Sequence, residues 1–325
     1  MYRVARSVVL LTAALLVAAC SASDYTAPVT ELSKATKTAA TSFKTNKESL
    51  EALAKAQRLK LASDGGNIVA KKGDCTVRSE HCRLMVVDKN GNQKPLNAAF
   101  DQLQDLMNGL VDYTDNLVAI VNADTAGEVT KGTDAVKTSL TSLAQTATSL
   151  AQARGLSAAA SFASAEPFIA PVSDAANFAL TKALEAEKVA ALRRATAQME
   201  TIFPTLTIVF DAVNADAQRI QSNQINAAYR KADSDFRHKP SPATRDAYEQ
   251  AANAYDLALS GKNNPKSVFD DLKEAHGALA QALTSPNPSF SELFALLQKA
   301  TDDANKLAEI NKAFQKARAA SSKPS

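Results

Sequence analysis

The stretch from Phe100 to Val121, FDQLQDLMNGLVDYTDNLVAIV, decides the fold class. Phe100, Leu103, Met107, Leu110, Leu117 and Val121 recur on a three-four rhythm. An α-helix stacks such positions on one face, whereas a strand, with its period of two, scatters them over both faces. The rhythm returns at Val129, Val136, Leu140, Leu143, Ala147 and Leu150, shifted by about one residue, with Gly127 and Gly132 at the slip. The spacing predicts one nearly continuous, locally irregular helix over about 97–153.

The same pattern extends in both directions. Leu32, Ala39, Phe43, Leu50 and Leu53 predict a helix from Thr30, a capping residue, to about Leu61, closed by Ser63-Asp64-Gly65-Gly66. Towards the C-terminus a very long helix is predicted from Pro171 to about His238. Ala195, Met199, Ile202, Leu206, Val209, Val213 and Ile220 keep one seam through Pro204, which predicts a kink rather than a break. Three shorter helices follow at about 242–260, 265–284 and 289–320, with Pro242, Pro265 and Pro288 near their starts, where a missing N–H costs nothing. Gly155 to Pro171 reads as a linker, and the last residues, 321–325, as a disordered tail.

One segment departs from the helical pattern. Residues 66–95 carry β-branched clusters and the turn signal Asn90-Gly91, with Arg83 to Asp88 reading as a hairpin arm. The expected fold is therefore all-α: an elongated antiparallel bundle of long, coiled-coil-like helices with a small β-hairpin insertion at about 66–95. Residues 30–320 are expected to form a single domain. The seams are expected to pack within the chain, with left-handed crossings; a seam left open for a partner helix would carry the same spacing.

Composition agrees with helix and excludes some functions. There is no Trp, and only 10 Gly and 11 Pro, in a chain of 325 residues that is 46% hydrophobic; much of that share is Ala and Leu, which cost least in a helix. The formal charge is +3, and falls to about +1 without Arg3 and Arg6, so no basic field points to nucleic acid.

Those two arginines open the chain, and Val8 to Ala19 follows as an apolar run broken only by Thr12. About a dozen residues are too few to span a hydrocarbon core of ~30 Å as a helix, so residues 1–19 read as a cleaved signal peptide. Its end, Val17-Ala18-Ala19-Cys20, resembles the lipobox of bacterial lipoproteins. The resemblance implies cleavage before Cys20, a diacylglyceryl thioether on its sulfur and acylation of the new amine. Several acyl chains make a lasting anchor where one does not. Ser21, rather than an aspartate, follows the cysteine, which implies passage to the outer membrane of a Gram-negative envelope, the body lying in the periplasm or at the cell surface. Residues 21–28, SASDYTAP, read as small and polar, and 20–29 as a lipidated, flexible tether.

The other two cysteines lie in DCTVRSEHCR, Asp74 to Arg83. A metal site needs four ligands, and Cys75, His81 and Cys82 offer three, two of them adjacent in sequence. Thioredoxin-type redox pairs are Cys-x-x-Cys, and six residues separate these. In an oxidising compartment the expectation is a structural Cys75–Cys82 disulfide, contributing about 2.5 kcal/mol through loop closure.

Catalytic signatures are weak. The chain has three histidines. Asp235 to His238, DFRH, and Asp270 to His276, DDLKEAH, place carboxylates near two of them, and both read as solvated helix faces with an exposed histidine. Gly127 to Thr133, GEVTKGT, has Thr133 where a phosphate loop needs lysine. No HExxH, GxSxG or CxxC occurs. No enzyme activity, cofactor or metal is therefore expected. The reading is a lipid-anchored envelope protein with a structural or protein-interaction role and an envelope protein as partner. One alternative is a small-ligand carrier with a pocket between helices. Another is a membrane-active protein, since a long helix pair with a β tip resembles in layout the pore-forming toxins related to cytolysin A.

Overall fold

Among the described residues the chain starts at Ser21. The computed structural model describes residues 21–72, 82–87, 90–91, 93–95, 101–153, 177–259 and 265–321. Ser21 is extended and caps a 3-10 turn, Ala22–Tyr25, and its N–H donates to the Asp24 carboxylate at 3.0 Å. The turn passes directly into α1, Thr26–Ser63, so helix starts before Thr30. Ala22, Tyr25 and Val29 are fully buried. The Tyr25 hydroxyl donates to the Ala282 carbonyl at 3.2 Å, and its ring stands edge-on to Phe290 with centroids 5.5 Å apart. The flexible tether expected over residues 20–29 is thus folded from Ser21 onward. Small polar neighbours hid the one large side chain that docks the segment.

The remaining helices are α2, Asp101–Val121, α3, Ala126–Ala153, α4, Asn177–His238, α5, Pro242–Leu259, α6, Pro265–Thr284, and α7, Ser291–Ser321. Helices dominate the described residues, and the fold is all-α. Three short strands lie between α1 and α2: β1, Asn67–Lys72, pairs antiparallel with β2, Cys82–Val87, and β2 pairs with β3, Gln93–Pro95. Gly65 and Gly91 hold positive φ at the turns before β1 and β3, a conformation glycine adopts without a Cβ penalty. α7 reaches Ser321, while 322–325 lie outside the described residues, as do 154–176 of the expected linker.

The expected near-continuity over 97–153 is corrected. Residues 122–125 separate α2 from α3, and Thr125 caps the second helix: the Glu128 N–H donates to Thr125 Oγ1 at 3.2 Å. Glu128 in turn accepts from the Asp124 N–H at 2.7 Å. Thr125-Ala126-Gly127-Glu128 carries the residues of a capping box, so the slip in the seam is a helix boundary. The two helices fold back on each other. A Cβ on Gly132 would meet Ile120 Cγ1 at 2.9 Å, and one on Gly109 would meet Leu143 Cδ2 at 2.8 Å. Asn116 donates to Ser139 Oγ at 2.9 Å between them. Contacts that step away from the turn in this order define an antiparallel hairpin.

α4 runs through Pro204 as one helix of 62 residues, roughly 90 Å at 1.5 Å per residue. The seam residues Ala195, Met199, Ile202, Leu206, Val209 and Val213 are buried, as are those of α2 and α3.

The chain divides into two compact units. One comprises residues up to Ala40, Asp105–Phe210 and Ser267–Asp302. Its core holds Tyr25, Leu32, Leu106, Met107, Tyr113, Leu117, Ile120 and Leu143, and α6 packs antiparallel to α4 there. Phe269 stacks on Phe210 at 4.0 Å and meets Phe203 at 6.1 Å, and Arg193 Nε donates to the Leu283 carbonyl.

The other unit comprises Thr41–Gln104, Asp211–Lys266 and Asp303–Ser325. In it Phe43 is buried, Ser42 Oγ donates to the Ala304 carbonyl at 2.5 Å, and Ile225, Ala254 and Ile310 form a cluster with Tyr255 against it. Tyr229 stacks on Tyr255 at 5.2 Å, and Phe236 on Tyr248 at 5.6 Å. Each unit has its own apolar interior because three of the helices (α1, α4 and α7) are long enough to give one segment to each.

Candidate functional site

A group of polar side chains converges inside the first unit from three helices. α6 presents His276, which is 2% exposed. Its Nε2 lies 2.8 Å from the Tyr113 hydroxyl of α2, and its Nδ1 lies 2.7 Å from Glu200 Oε1 of α4. The ring of Phe203 stands edge-on to the imidazole at 5.0 Å. Helical spacing explains the arrangement on α4, because Glu200 and Phe203 lie three residues apart and share a face.

Electrostatics assign the donors. Burial, helped by the nearby charge of Glu200, holds the Tyr113 phenol well above the ordinary tyrosine value. It therefore stays protonated; with a neutral imidazole it donates to Nε2, and Nδ1–H donates to the carboxylate. The hydrogen bond from His276 holds the Glu200 carboxyl below the ordinary glutamate value against the opposing effect of burial, and the charge of Lys273 adds to this. The result is a chain running from a half-exposed carboxylate through a buried imidazole to a buried hydroxyl.

Its chemistry is limited by its inner end. Such a chain resembles a base and its orienting carboxylate, but the third member must touch a substrate to act. Tyr113 is 1% exposed, and the hydroxyl is spent on the histidine. The arrangement locks α2, α4 and α6 in register; a neutral bond such as that of Tyr113 contributes about 1 kcal/mol.

A second polar node ties down the N-terminus. Glu185 of α4 accepts from Ser21 Oγ at 2.7 Å and from the Ser23 N–H at 3.2 Å, while Lys188 donates to its other oxygen at 3.0 Å. Burial works to raise the Glu185 carboxyl, but the hydrogen bonds from Ser21 and Lys188, the lysine charge and the Ser23 amide outweigh it and hold it low.

The expectations for single residues fare differently. His276 is buried and bonded at both nitrogens, so the reading of DDLKEAH as a solvated face with an exposed histidine is overturned. The partners lie 76 and 163 residues away, beyond any local pattern. His238 is exposed, its Nδ1 lying 2.8 Å from the Ser234 carbonyl. Cys20, Cys75 and His81 lie outside the described residues. Cys82 begins β2, but its side chain is not described, so the Cys75–Cys82 disulfide and the lipidation of Cys20 both fall outside what the structure describes. Among the described residues no cluster of three or more His, Cys, Asp or Glu could hold a metal ion, and no helix is long and apolar enough to cross a membrane. Comparison with protein-family models, with characterised proteins and with solved structures yields no match.

Some signals for these positions were present in the sequence. The Ser21-x-x-Asp24 and Thr125-x-x-Glu128 spacings mark helix starts. For Tyr113 the signal is fainter: it lies off the Leu110–Leu117 seam but three residues from Leu110 and four from Leu117, on a widened apolar stripe.

Proposed function

We propose that this protein is a lipid-anchored cell-envelope protein with a structural or protein-interaction role, built as a helical bundle and held by acyl chains on Cys20. The observation that carries the reading is the leader, with Val17-Ala18-Ala19-Cys20 ending an apolar run too short to span a bilayer. The described fold starts at Ser21, so cleavage before Cys20 removes no described residue. The absence of an aspartate at position 21 supports an outer-membrane address, with the body in the periplasm or at the surface.

A non-catalytic role is supported by the Tyr113–His276–Glu200 chain, whose hydroxyl end is sealed in the core and which serves to align helices. The strands between α1 and α2, pinned by a Cys75–Cys82 disulfide, are the face we assign to an envelope protein partner. Metabolic labelling with radioactive palmitate in a Gram-negative host tests the anchor. Wild type is expected to take up label and fractionate with the outer membrane, and Cys20→Ala to lose both. Label retained in Cys20→Ala would sink the reading. For the partner, crosslinking through residues 67–95 is expected to capture a discrete envelope protein, and identical crosslink patterns after deletion of that segment would count against the assignment.

A further inference from the structure

A lipoprotein anchor is ordinarily separated from its folded body by spacer residues, and here there are none. Ser21 is held by Asp24 and Glu185, Ser23 by Glu185, and Tyr25 is fully buried with its hydroxyl on Ala282. Cys20 is the residue before Ser21, and consecutive Cα atoms are about 3.8 Å apart. Any lipid on Cys20 is therefore attached one residue from the contact of Ser21 with Glu185 of α4.

The direction of α4 sharpens this. From Glu185 the helix passes Leu283 at Arg193 and His276 at Glu200, running into the unit. The preceding turns, Asn177 to Leu184, run the other way and pass beyond Ser21 by roughly 12 Å. The headgroup layer is only about 5–8 Å thick on each side of the hydrocarbon core. With α4 near the membrane normal, a lipid seated at Ser21 brings these turns into the headgroup layer as its acyl chains enter the core.

The surface there suits headgroups rather than hydrocarbon. Lys182, Ala183 and Ala186 are exposed on α4, and Pro286, Asn287 and Ser289 are exposed on the connection between α6 and α7. That connection is tied to the same end by the contact of Phe290 with Tyr25. Phe294, 39% exposed, lies one helical turn after Phe290, within reach of the interfacial layer where aromatic rings settle.

We infer that the first turns of α4 and the Ser285–Phe290 connection form a membrane-resting face, seated on lipid headgroups by an anchor that has no spacer. The occupant is the phospholipid surface that receives the Cys20 acyl chains, so the inference rests on the proposed anchor. The face fixes the orientation of the first unit on the membrane, unlike a body swinging on a flexible tether.

The test uses the full lipidated protein, purified from envelopes and added to preformed vesicles of phosphatidylethanolamine with one-quarter phosphatidylglycerol. Intact mass first reads whether Cys20 carries acyl chains. Lysine footprinting with a water-soluble amine-reactive ester then compares vesicle-bound wild type with non-acylated Cys20→Ser protein in solution. Labelling of Lys182 is expected to slow at least threefold on vesicles. Lys34, whose side chain is 64% exposed two helical turns beyond Tyr25 on α1, is expected to change by less than half that factor. An acylated, vesicle-bound protein whose Lys182 labels as fast as in solution overturns the membrane-resting face and leaves the anchor standing. A mass without acyl chains overturns the anchor, and the face with it. A Gly-Ser spacer inserted between Cys20 and Ser21 is expected to restore Lys182 labelling; continued protection in an anchored spacer variant would overturn the role given to the short tether.

Discussion

Removing the Tyr113 hydroxyl isolates the energetic role of the buried chain. In Tyr113→Phe the ring and its packing remain, and only the donor to His276 Nε2 is lost. A buried nitrogen 2.8 Å from that hydroxyl then loses its partner in a residue only 2% exposed. The lost bond costs about 1 kcal/mol and the stranded acceptor a further 1–2 kcal/mol, so the expected loss is about 2–3 kcal/mol. The converse substitution, His276→Leu, strands the hydroxyl instead and should cost a similar amount. In the double variant neither polar group remains. Tyr113→Phe made in the His276→Leu background should then cost nothing, or stabilise slightly, and the cycle should show a coupling of about 2 kcal/mol. Urea unfolding followed by far-ultraviolet circular dichroism measures each corner of the cycle. Because the chain has two compact units, the transitions are fitted separately where they resolve. A Tyr113→Phe cost below about 0.5 kcal/mol, equal in both backgrounds, would refute the network.

Other perturbations probe different features. The carboxyls of Glu200 and Glu185 are held low in the folded state, so their contribution is present above the ordinary glutamate value near 4.3 and lost as pH falls through the depressed values. Glu200→Gln should flatten the fall in stability below about pH 4.5, seen as a smaller spread of melting temperatures between about pH 5 and pH 3. A Cβ added to Gly277, in α6, would meet nothing within 4 Å, so Gly277→Ala should stabilise by about 0.5–1 kcal/mol. Gly132→Ala has the same helix-propensity gain but places its Cβ 2.9 Å from Ile120 Cγ1; overpacking of about 1–3 kcal/mol should outweigh it, and stabilisation of this variant in the same urea assay would contradict the α2–α3 contact. Unreduced, alkylated protein should show Cys75 and Cys82 without alkyl groups by peptide mass spectrometry, and two alkylated thiols would remove the disulfide.

Helix location was legible in the sequence because helix formation and helix burial follow a local period. Leu103, Met107, Leu110 and Leu117 identify the buried face of α2 from spacing alone, since residues three and four apart lie on one side of any α-helix. The prolines at 242 and 265 mark the starts of α5 and α6 for an equally local reason, the orphan N–H positions of a first turn. The boundary between α2 and α3 was legible too, but in the Thr125–Glu128 spacing rather than in the glycines. Gly132 reflects close packing on Ile120, not a break.

The tertiary structure alone decided what the polar residues do. Within DDLKEAH nothing separates a solvated histidine from a buried one, because its partners come from Glu200 and Tyr113 on other helices. Ser21 to Val29 reads as a spacer until Ala282, Phe290 and Glu185 are brought against it. The division of α1, α4 and α7 between two cores likewise lies beyond periodicity, which reports that a face is buried but not against what. Local spacing determines which side of a helix leaves water; only the packed chain determines which distant donors and acceptors meet there, because hydrogen bonds form over about 3 Å of space and have no sequence range.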